Sequence, residues 1–302
     1  ETIGSMIRVG LLKKPAEKKR RGKMAVYDGK KLAQEKLLDI ATYCIQSALK
    51  APQITSRVGL EFEIVTDEDL NPFVEAFGLL SSIAAFHAAS LMSYGKALGA
   101  GEPPVLLLIG GKNLRTSELA WNCGACGFET CRAFNKYAKS IEPGLTVDAK
   151  GPCCVWKVID YAMCCDWACA QAWHHTITNR VEMASGWAAR ALGYTPDCDI
   201  VRGLPLGPMK DMFWYSREVF TENLPYEIWK EMVMTNYPSN WATFPGHGRP
   251  TIKYGQKWWE TLRDRKLTPT DMEAFEQTKK AAVDGLNALR EKVQSQKRKR
   301  KK

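Results

Sequence analysis

The sequence lacks any apolar run long enough to cross a membrane. The longest runs, such as residues 105–109, fall far short of the roughly 20 residues that a spanning helix needs. The basic N-terminal stretch also lacks the apolar segment of a secretory signal, so we expect a cytoplasmic location. In that reducing setting the ten cysteines are first expected to be free thiols, metal ligands or redox groups, and only then disulfides.

Several catalytic motifs are missing as well. Gly110-Gly111-Lys112 lacks the spacing of a phosphate-binding P-loop, and no dinucleotide-binding Gly-x-Gly-x-x-Gly occurs. No serine or cysteine hydrolase triad can be assigned. These absences argue against a nucleotide-binding or hydrolytic site of a familiar kind.

The folded part of the chain has little net charge. The formal charge of the 302 residues is +10, but residues 1–23 and residues 297–302 each contribute +6, which leaves residues 24–296 at −2. This distribution excludes a broadly basic nucleic-acid-binding body and leaves only binding through the tails. The 45% hydrophobic and 25% charged composition is typical of a globular protein.

Helical and strand-like patterns alternate along the chain and predict a layered α/β or α+β domain. The helix from residue 37 should end before Pro52, and the alternation of apolar and acidic residues over 60–64 predicts a strand with one buried face. The continuous apolar run at 105–109 predicts a strand buried on both faces. We expect helices at 37–48, within 70–98, at 155–173 and at 179–192, and strands at 60–64, 105–109 and 199–204.

The strongest motif is the glycine-rich loop 122–131. It holds Cys123, Cys126 and Cys131 at C-x2-C-x4-C spacing. Such a loop can supply three thiolates to a [4Fe-4S] cluster, and Cys154 or Cys153 downstream can supply the fourth. Zinc is the alternative, although zinc sites favour two separated C-x2-C pairs or nearby histidines.

This motif resembles a known family. Asn-Cys-Gly-Ala-Cys-Gly-Phe-x-x-Cys at 122–131, followed by Gly-Pro-x-Cys-x-x-Lys-Val-Ile-Asp at 151–160, resembles the "ferredoxin domain-containing" iron–sulfur proteins of anaerobic bacteria and archaea. The loop alone is similar to the four-iron domain of corrinoid iron–sulfur proteins. The first resemblance covers about residues 30–210. It implies that the cluster ligands are Cys123, Cys126, Cys131 and Cys154, with Cys153 as the spare.

A second resemblance concerns the scaffold. A helix ending at Ala51-Pro52 and a late strand entering Pro205-Leu206-Gly207 resemble the nitroreductase fold, in which FMN lies at a dimer interface. The resemblance implies a homodimer and a flavin, whose candidate contacts are Arg57, Asn179 and Arg180. The chain departs from that family because it lacks a clear Arg-x-x-x-Arg grip before the first helix, and Thr55-Ser56-Arg57 replaces the usual Asn.

The surplus cysteines and the histidines allow two interpretations. Cys164, Cys165 and Cys169 share one predicted helix and form either a second metal site or core packing, as buried cysteines often do. His174-His175 ends the same helix and either relays protons, binds a metal or meets the helix carbonyls. His87, in an Ala-rich helix, is expected to be a hydrogen-bonded core residue. His247 is a loop residue.

We therefore predict four segments: a basic flexible leader (1–30), an α/β domain (31–210) with an iron–sulfur insertion at about 120–154, an aromatic-rich, mostly helical extension (211–296) and a basic tail (297–302). The final helix should start at Thr268-Pro269 and end near Gln296. Residues 213–259 carry aromatic side chains suited to burial against a partner subunit.

Two functions fit these patterns. The first is an oxidoreductase or electron carrier that passes electrons through a [4Fe-4S] cluster, with a flavin as the next carrier if one is bound, and with an electron donor or acceptor protein or a larger redox complex as its partner. The second is an accessory or assembly subunit with a structural or sensory cluster, which docks a partner through its C-terminal extension. Nucleic-acid binding through the basic tails is the remaining alternative.

Overall fold

Three apolar stretches of the chain pair into an antiparallel sheet in the computed structural model, which describes residues 27–84, 86–142, 149–208 and 272–300. The chain divides into two units, residues 1–32 and 33–302. Within the described part of the first unit, the Asp28 carboxylate accepts hydrogen bonds from the backbone N–H groups of Lys30 and Lys31 and caps a helix start. Residues 1–26 of the predicted leader (1–30) and the aromatic segment 213–259, with His247, lie outside the described residues.

The secondary structure mixes helices with a small sheet and confirms an α+β fold. The strands are β1 (Gly59–Val65), β2 (Val105–Lys112) and β3 (Ile200–Leu206). The helices are α1 (Gly29–Glu35), α2 (Leu37–Lys50), α3 (Asn71–Ser81), α4 (His87–Gly99), α5 (Cys131–Lys139), α6 (Val155–His174), α7 (Met183–Ala191) and α8 (Met272–Arg300), with a 3₁₀ turn at Asp67–Leu70. None of the helices in the described ranges is long and apolar enough to cross a membrane.

The sheet has the order β1-β2-β3, and both strand pairs are antiparallel. The central strand β2 is buried on both faces, as its apolar run predicts. Leu106 and Leu108 face one core, which α3, α4, α7 and α8 cover. Leu107 and Ile109 face a second core, which α2 and α6 cover. The fold is therefore a sheet between two helical layers, because the side chains of a strand alternate between its faces.

Strand β1 corrects one prediction. Its residues up to Ile64 are half-buried, so it does not have one buried and one exposed face. The acidic side chains are not left in water, since Glu61 pairs with Lys112 and Glu63 pairs with Lys297 of α8 at 2.5 Å. Ion pairing on this side and apolar packing on the other give both faces similar burial.

Two helix boundaries also differ from the predictions. Helix α7 begins at Met183 rather than near residue 179, because Asn179 and Glu182 form bridges to β3. Helix α8 continues to Arg300, beyond the expected end near Gln296, because Lys297 and Arg300 pair with acidic residues of the sheet edge and the 3₁₀ turn. The predicted start of α8 at 268–269 lies outside the described residues.

Helix α7 lies directly on the backbone of β3. A Cβ atom on Gly186 would stand 1.9 Å from the Val201 carbonyl oxygen, so only glycine permits this approach. Gly95, on the exposed side of α4, is a matched helical glycine, because a Cβ atom added there would have nothing within 4 Å.

We expect Gly186→Ala to lower the free energy of unfolding by about 1–3 kcal/mol, because the backbones must separate to admit the methyl group. Gly95→Ala should instead raise it by about 0.5–1 kcal/mol, since alanine favours the helix. Urea unfolding followed by circular dichroism measures both. Equal midpoints for Gly186→Ala and the unchanged protein would contradict the close contact.

His87 corrects another prediction. It is fully buried in the core, among the rings of Phe77, Phe86 and Trp187, but within the described part of the chain neither of its ring nitrogens has a hydrogen-bond partner. Burial lowers the pKa of His87 from 6.5 to about 3. The expectation of a hydrogen-bonded core histidine was wrong, because aromatic packing surrounds the ring instead.

This burial makes stability depend on pH. Above pH 6.5 the imidazole is neutral in both states, whereas between pH 6.5 and about 3 the unfolded chain binds a proton that the native chain does not. As the pH is lowered through this range, His87 alone should reduce the free energy of unfolding by about 1.4 kcal/mol per pH unit. His87→Leu should lose this part of the slope between pH 6 and 4, while His174→Leu, at an exposed position, should keep it. Equal slopes would show that His87 does not contribute.

Candidate metal centre

The loop that carries the first three cysteines is curled by its backbone. Ala120, Asn122, Gly124 and Gly127 all have positive φ, from 48° at Asn122 to 82° at Gly127. The Gly127 N–H donates to the Gly124 carbonyl at 2.8 Å, which closes a turn inside the loop. The Asn122 side chain accepts a 2.9 Å hydrogen bond from the Cys131 N–H and so joins the two ends of the loop.

Two helices begin at cysteines of the motif. The Thr130 hydroxyl accepts from the Ala133 N–H at 3.1 Å and caps α5, so Cys131 is the first residue of that helix. Cys154 is the N-cap residue of α6. Helix N-termini carry partial positive charge and favour the thiolate form of nearby cysteines.

Four cysteines line one pocket: Cys123, Cys126, Cys131 and Cys154. Cys123 is exposed at the rim, while Cys154 is 6% exposed and lies in a small core with Phe134 and Ala138. Trp156 packs against the same core. The pocket is therefore shielded from solvent at Cys154 and open to solvent at Cys123.

Hydrogen bonds reach two of these sulfurs. The Ser117 hydroxyl donates to Cys131 Sγ at 3.3 Å, and the Trp156 indole N–H donates to Cys123 Sγ at 3.4 Å. The Ser117 hydrogen bond is the main cause of the lowered pKa of Cys131, and backbone N–H groups of the loop add to it. The pKa of Cys123 is lowered mainly by the Ala125 N–H and then by Trp156. Both thiols are thus surrounded by donors that stabilise a negatively charged sulfur.

The surplus cysteines have the opposite environment. Burial raises the pKa of Cys44, Cys153, Cys165 and Cys198 to about 12 and that of Cys169 to about 11, and it also raises the pKa of Cys164. Cys153 Sγ donates to the Lys150 carbonyl at 3.1 Å and does not line the four-cysteine pocket. Cys164 and Cys165 are core residues between α6 and the sheet, where packing gives a sufficient account of them.

The donor set suits a cluster better than one ion. Among the described residues, no three His, Cys, Asp or Glu side chains form a group that could hold a single metal ion. Zinc draws its four ligands to within about 2.3 Å of one centre, whereas a four-iron cluster gives each thiolate its own iron and holds the sulfurs farther apart. Four thiols around one pocket, two of which accept hydrogen bonds at sulfur, fit the second arrangement.

Two buried charged side chains of α6, whose role no motif indicated, hold the surroundings of the pocket. Lys157 is fully buried and donates to the Asn113 carbonyl at 2.8 Å and to Glu118 at 2.7 Å. Burial alone would raise the pKa of Glu118, but the Lys157 hydrogen bond keeps it below its usual value. Lys157 thereby fixes the 113–118 segment, which carries the Ser117 donor.

Asp160 anchors a second segment to the same helix. It is fully buried and accepts hydrogen bonds from the Ile54 N–H at 2.5 Å, the Thr55 N–H at 2.8 Å and the Thr55 hydroxyl at 2.5 Å. Lys157 and Asp160 stand three and six residues after Cys154. This regular spacing after a cysteine was the sequence signal that could have indicated their role in anchoring neighbouring segments to α6.

The candidate flavin contacts lie outside α6, in segments that bond to different turns of that helix. Arg57 is exposed and follows the segment held by Asp160, whereas Asn179 is buried and bonded to Cys169 at 2.7 Å. Asp160 and Cys169 are nine residues apart, about 13.5 Å of helical rise. The Asn179 amide also donates to the Ile177 carbonyl at 2.8 Å. Arg180 is half-buried, and the flavin assignment stays a prediction.

His174 and His175 are both exposed at the C-terminal end of α6. The His175 ring stacks on Tyr43 with 5.5 Å between ring centroids and lies 3.1 Å from the Gln171 amide. These contacts fit a helix-end position.

Residues 150–217 match a family model described as "Uncharacterized protein containing a ferredoxin domain (DUF2148)". That stretch includes Cys154 but not the 122–131 loop. An "Uncharacterized protein" from Archaeoglobus fulgidus is 34% identical over 112 residues, which cover 37% of this chain and 56% of that protein. The match thus spans little more than half of the curated relative. No solved structure matches the chain, and a nitroreductase-like scaffold stays a prediction.

We expect Asp160→Asn to destabilise the protein by about 1–3 kcal/mol. The new amide NH₂ group would replace one carboxylate oxygen, so at least one of the N–H and O–H donors of residues 54–55 would face another donor instead of an acceptor. Asp166→Asn, at an exposed position on the same helix, should change stability by less than about 0.5 kcal/mol. Thermal unfolding of the two variants under identical metal loading makes the comparison. A similar unfolding temperature for both would contradict the anchoring role of Asp160.

Proposed function

We propose that this protein is an iron–sulfur redox protein, in which Cys123, Cys126, Cys131 and Cys154 bind one [4Fe-4S] cluster. The observation that carries the proposal is that these four thiols line one pocket, while the adjacent Cys153 is turned to the Lys150 carbonyl. When bound, the cluster supplies one-electron transfer.

The surroundings of the four cysteines support this function. The helix N-termini at Cys131 and Cys154 stabilise negative charge on the sulfurs of these two residues. On the solvent-exposed side of the pocket lie Cys123 and Trp121, which is 49% exposed and has its ring edge-on to Trp156. Phe134 and its neighbours exclude water from one side, so electrons would enter and leave through the exposed Cys123 edge.

The family description supports the proposal independently of the pocket geometry. The matched stretch carries Cys154, and the description names a ferredoxin domain. The proposed function, an electron carrier or oxidoreductase, does not require a flavin. Asn179, one of the candidate flavin contacts, already uses its amide oxygen and its amide nitrogen in hydrogen bonds within the chain. The predicted homodimer, cytoplasmic location, anaerobic setting and the accessory-subunit alternative stay predictions.

The adjacent cysteines provide a matched test. After anaerobic reconstitution with iron and sulfide, the unchanged protein should hold about four irons per chain. Cys154→Ser should lose most of the iron, whereas Cys153→Ser should keep it, because only the first substitution removes a pocket thiol. Iron and sulfide analysis, with electron paramagnetic resonance after dithionite reduction, measures the cluster.

Circular dichroism controls for folding in both variants. Loss of iron from Cys153→Ser together with retention by Cys154→Ser would overturn the ligand assignment. A single tightly bound zinc per chain, with no sulfide and no reducible signal, would overturn the proposed function. Flavin quantified on the same samples tests the FMN prediction separately.

A further inference from the structure

Helix α5 carries a basic stripe, defined as Arg132, Lys136 and Lys139. All three side chains are exposed and stand at i, i+4 and i+7, within about 60° of arc on the helix. The opposite side of α5 buries Phe134 and Ala138 in the small core under the pocket. The stripe therefore points away from the protein.

The charge of this stripe is not neutralised within the described part of the chain. None of the three side chains forms a hydrogen bond or an ion pair there, whereas buried or half-buried lysines such as Lys157 and Lys297 are paired. Helix α5 contains no acidic residue, and Glu129 just before it does not pair with the stripe. Arg132 also lies in the first turn, where the helix dipole disfavours a cation. Helix stability thus does not account for its position.

The stripe is fixed beside the cysteines. Helix α5 begins at Cys131, so the whole stripe lies within about 12 Å of that residue along the helix axis. Phe128 of the loop packs against Phe134 and Tyr137 of α5, with ring centroids 5.8 and 5.3 Å apart. Arg115 donates to the Ile141 carbonyl at 2.6 Å and holds the far end of the helix. The cationic surface and the cysteine pocket form one unit.

We propose that this basic stripe docks the acidic face of a partner electron-transfer protein and brings it beside the cysteine pocket. The inference rests on the proposed redox function and adds the class of partner. Complementary charge steers two proteins together and sets their orientation, while contributing more to the association rate than to final affinity. Three clustered cations on a helix that begins at Cys131 would favour an approach toward the cysteine pocket.

A nucleic acid is the other acidic partner to consider. A strongly salt-dependent nucleic-acid binder makes about 6–10 phosphate contacts, roughly two to three times what the three side chains of this stripe offer. The stripe also lies next to the cysteine pocket rather than along an extended groove. Both features favour a protein partner.

The test uses the reconstituted full chain and a small acidic ferredoxin, reduced beforehand, as the probe. The variant Arg132→Glu/Lys136→Glu/Lys139→Glu is compared with Lys280→Glu/Lys292→Glu/Arg298→Glu, which reverses three exposed charges on α8 and changes the net charge equally. Stopped-flow absorbance gives the second-order rate of cluster reduction at low and high salt. Dithionite, a small reductant that needs no docking surface, is the parallel reductant.

We expect the α5 variant to be reduced by the ferredoxin at least tenfold more slowly than the α8 variant at low salt, with the difference shrinking at high salt. Iron content and reduction by dithionite should be equal in the two variants. Equal ferredoxin rates, with normal dithionite reduction, would overturn the docking surface and leave the redox function standing. A cluster that dithionite cannot reduce in the unchanged protein would instead overturn the proposed function. Fluorescence anisotropy with a labelled single-stranded oligonucleotide completes the test, since binding lost only in the α5 variant would replace the protein partner by nucleic acid.

Discussion

The arrangement of the cysteine pocket depends on two buried charged side chains in the first turns of α6. Lys157 holds the 113–118 segment through Glu118, and Asp160 holds residues 54–55 through three hydrogen bonds. A buried charge is tolerated only when its hydrogen bonds are satisfied. These contacts therefore fix the N-terminus of α6, where Cys154 lies, relative to residues 54–55 and to the 113–118 segment that precedes the loop with the other three cysteines.

Local surroundings divide the ten cysteines into two groups. In the pocket, N–H and hydroxyl donors lower the pKa of Cys123 and Cys131, while elsewhere burial raises the pKa of thiols such as Cys165 and Cys198. The same residue type thus has a thiol whose negatively charged form is stabilised in one place and is a small apolar side chain in another. Spacing along the chain indicates the first group, and depth in the core accounts for the second.

Much of the fold could be predicted from periodicity, because α2, α6 and β2 are set by local apolar patterns. The burial of β1 and the ends of α7 and α8 could not, since they depend on partners distant in sequence, such as Lys297 for Glu63. In the candidate site, spacing predicts three cysteine ligands, and this stays a prediction. It left Cys153 and Cys154 open, because adjacent residues differ only in the direction that the backbone gives their side chains. The lack of a partner for the His87 nitrogens among the described residues had no sequence signal at all.

The contact between α8 and β1 also bears on the order in which the chain can fold. Lys297 and Glu63 are 234 residues apart, and Leu286, Leu289 and Val293 of α8 complete the core beside α3 and α7. The described residues of the core between α2, α6 and the sheet lie no later in the sequence than Leu206. During synthesis from the N-terminus, the layer of α2 and α6 can therefore assemble before the α8 residues of the opposite layer have left the ribosome.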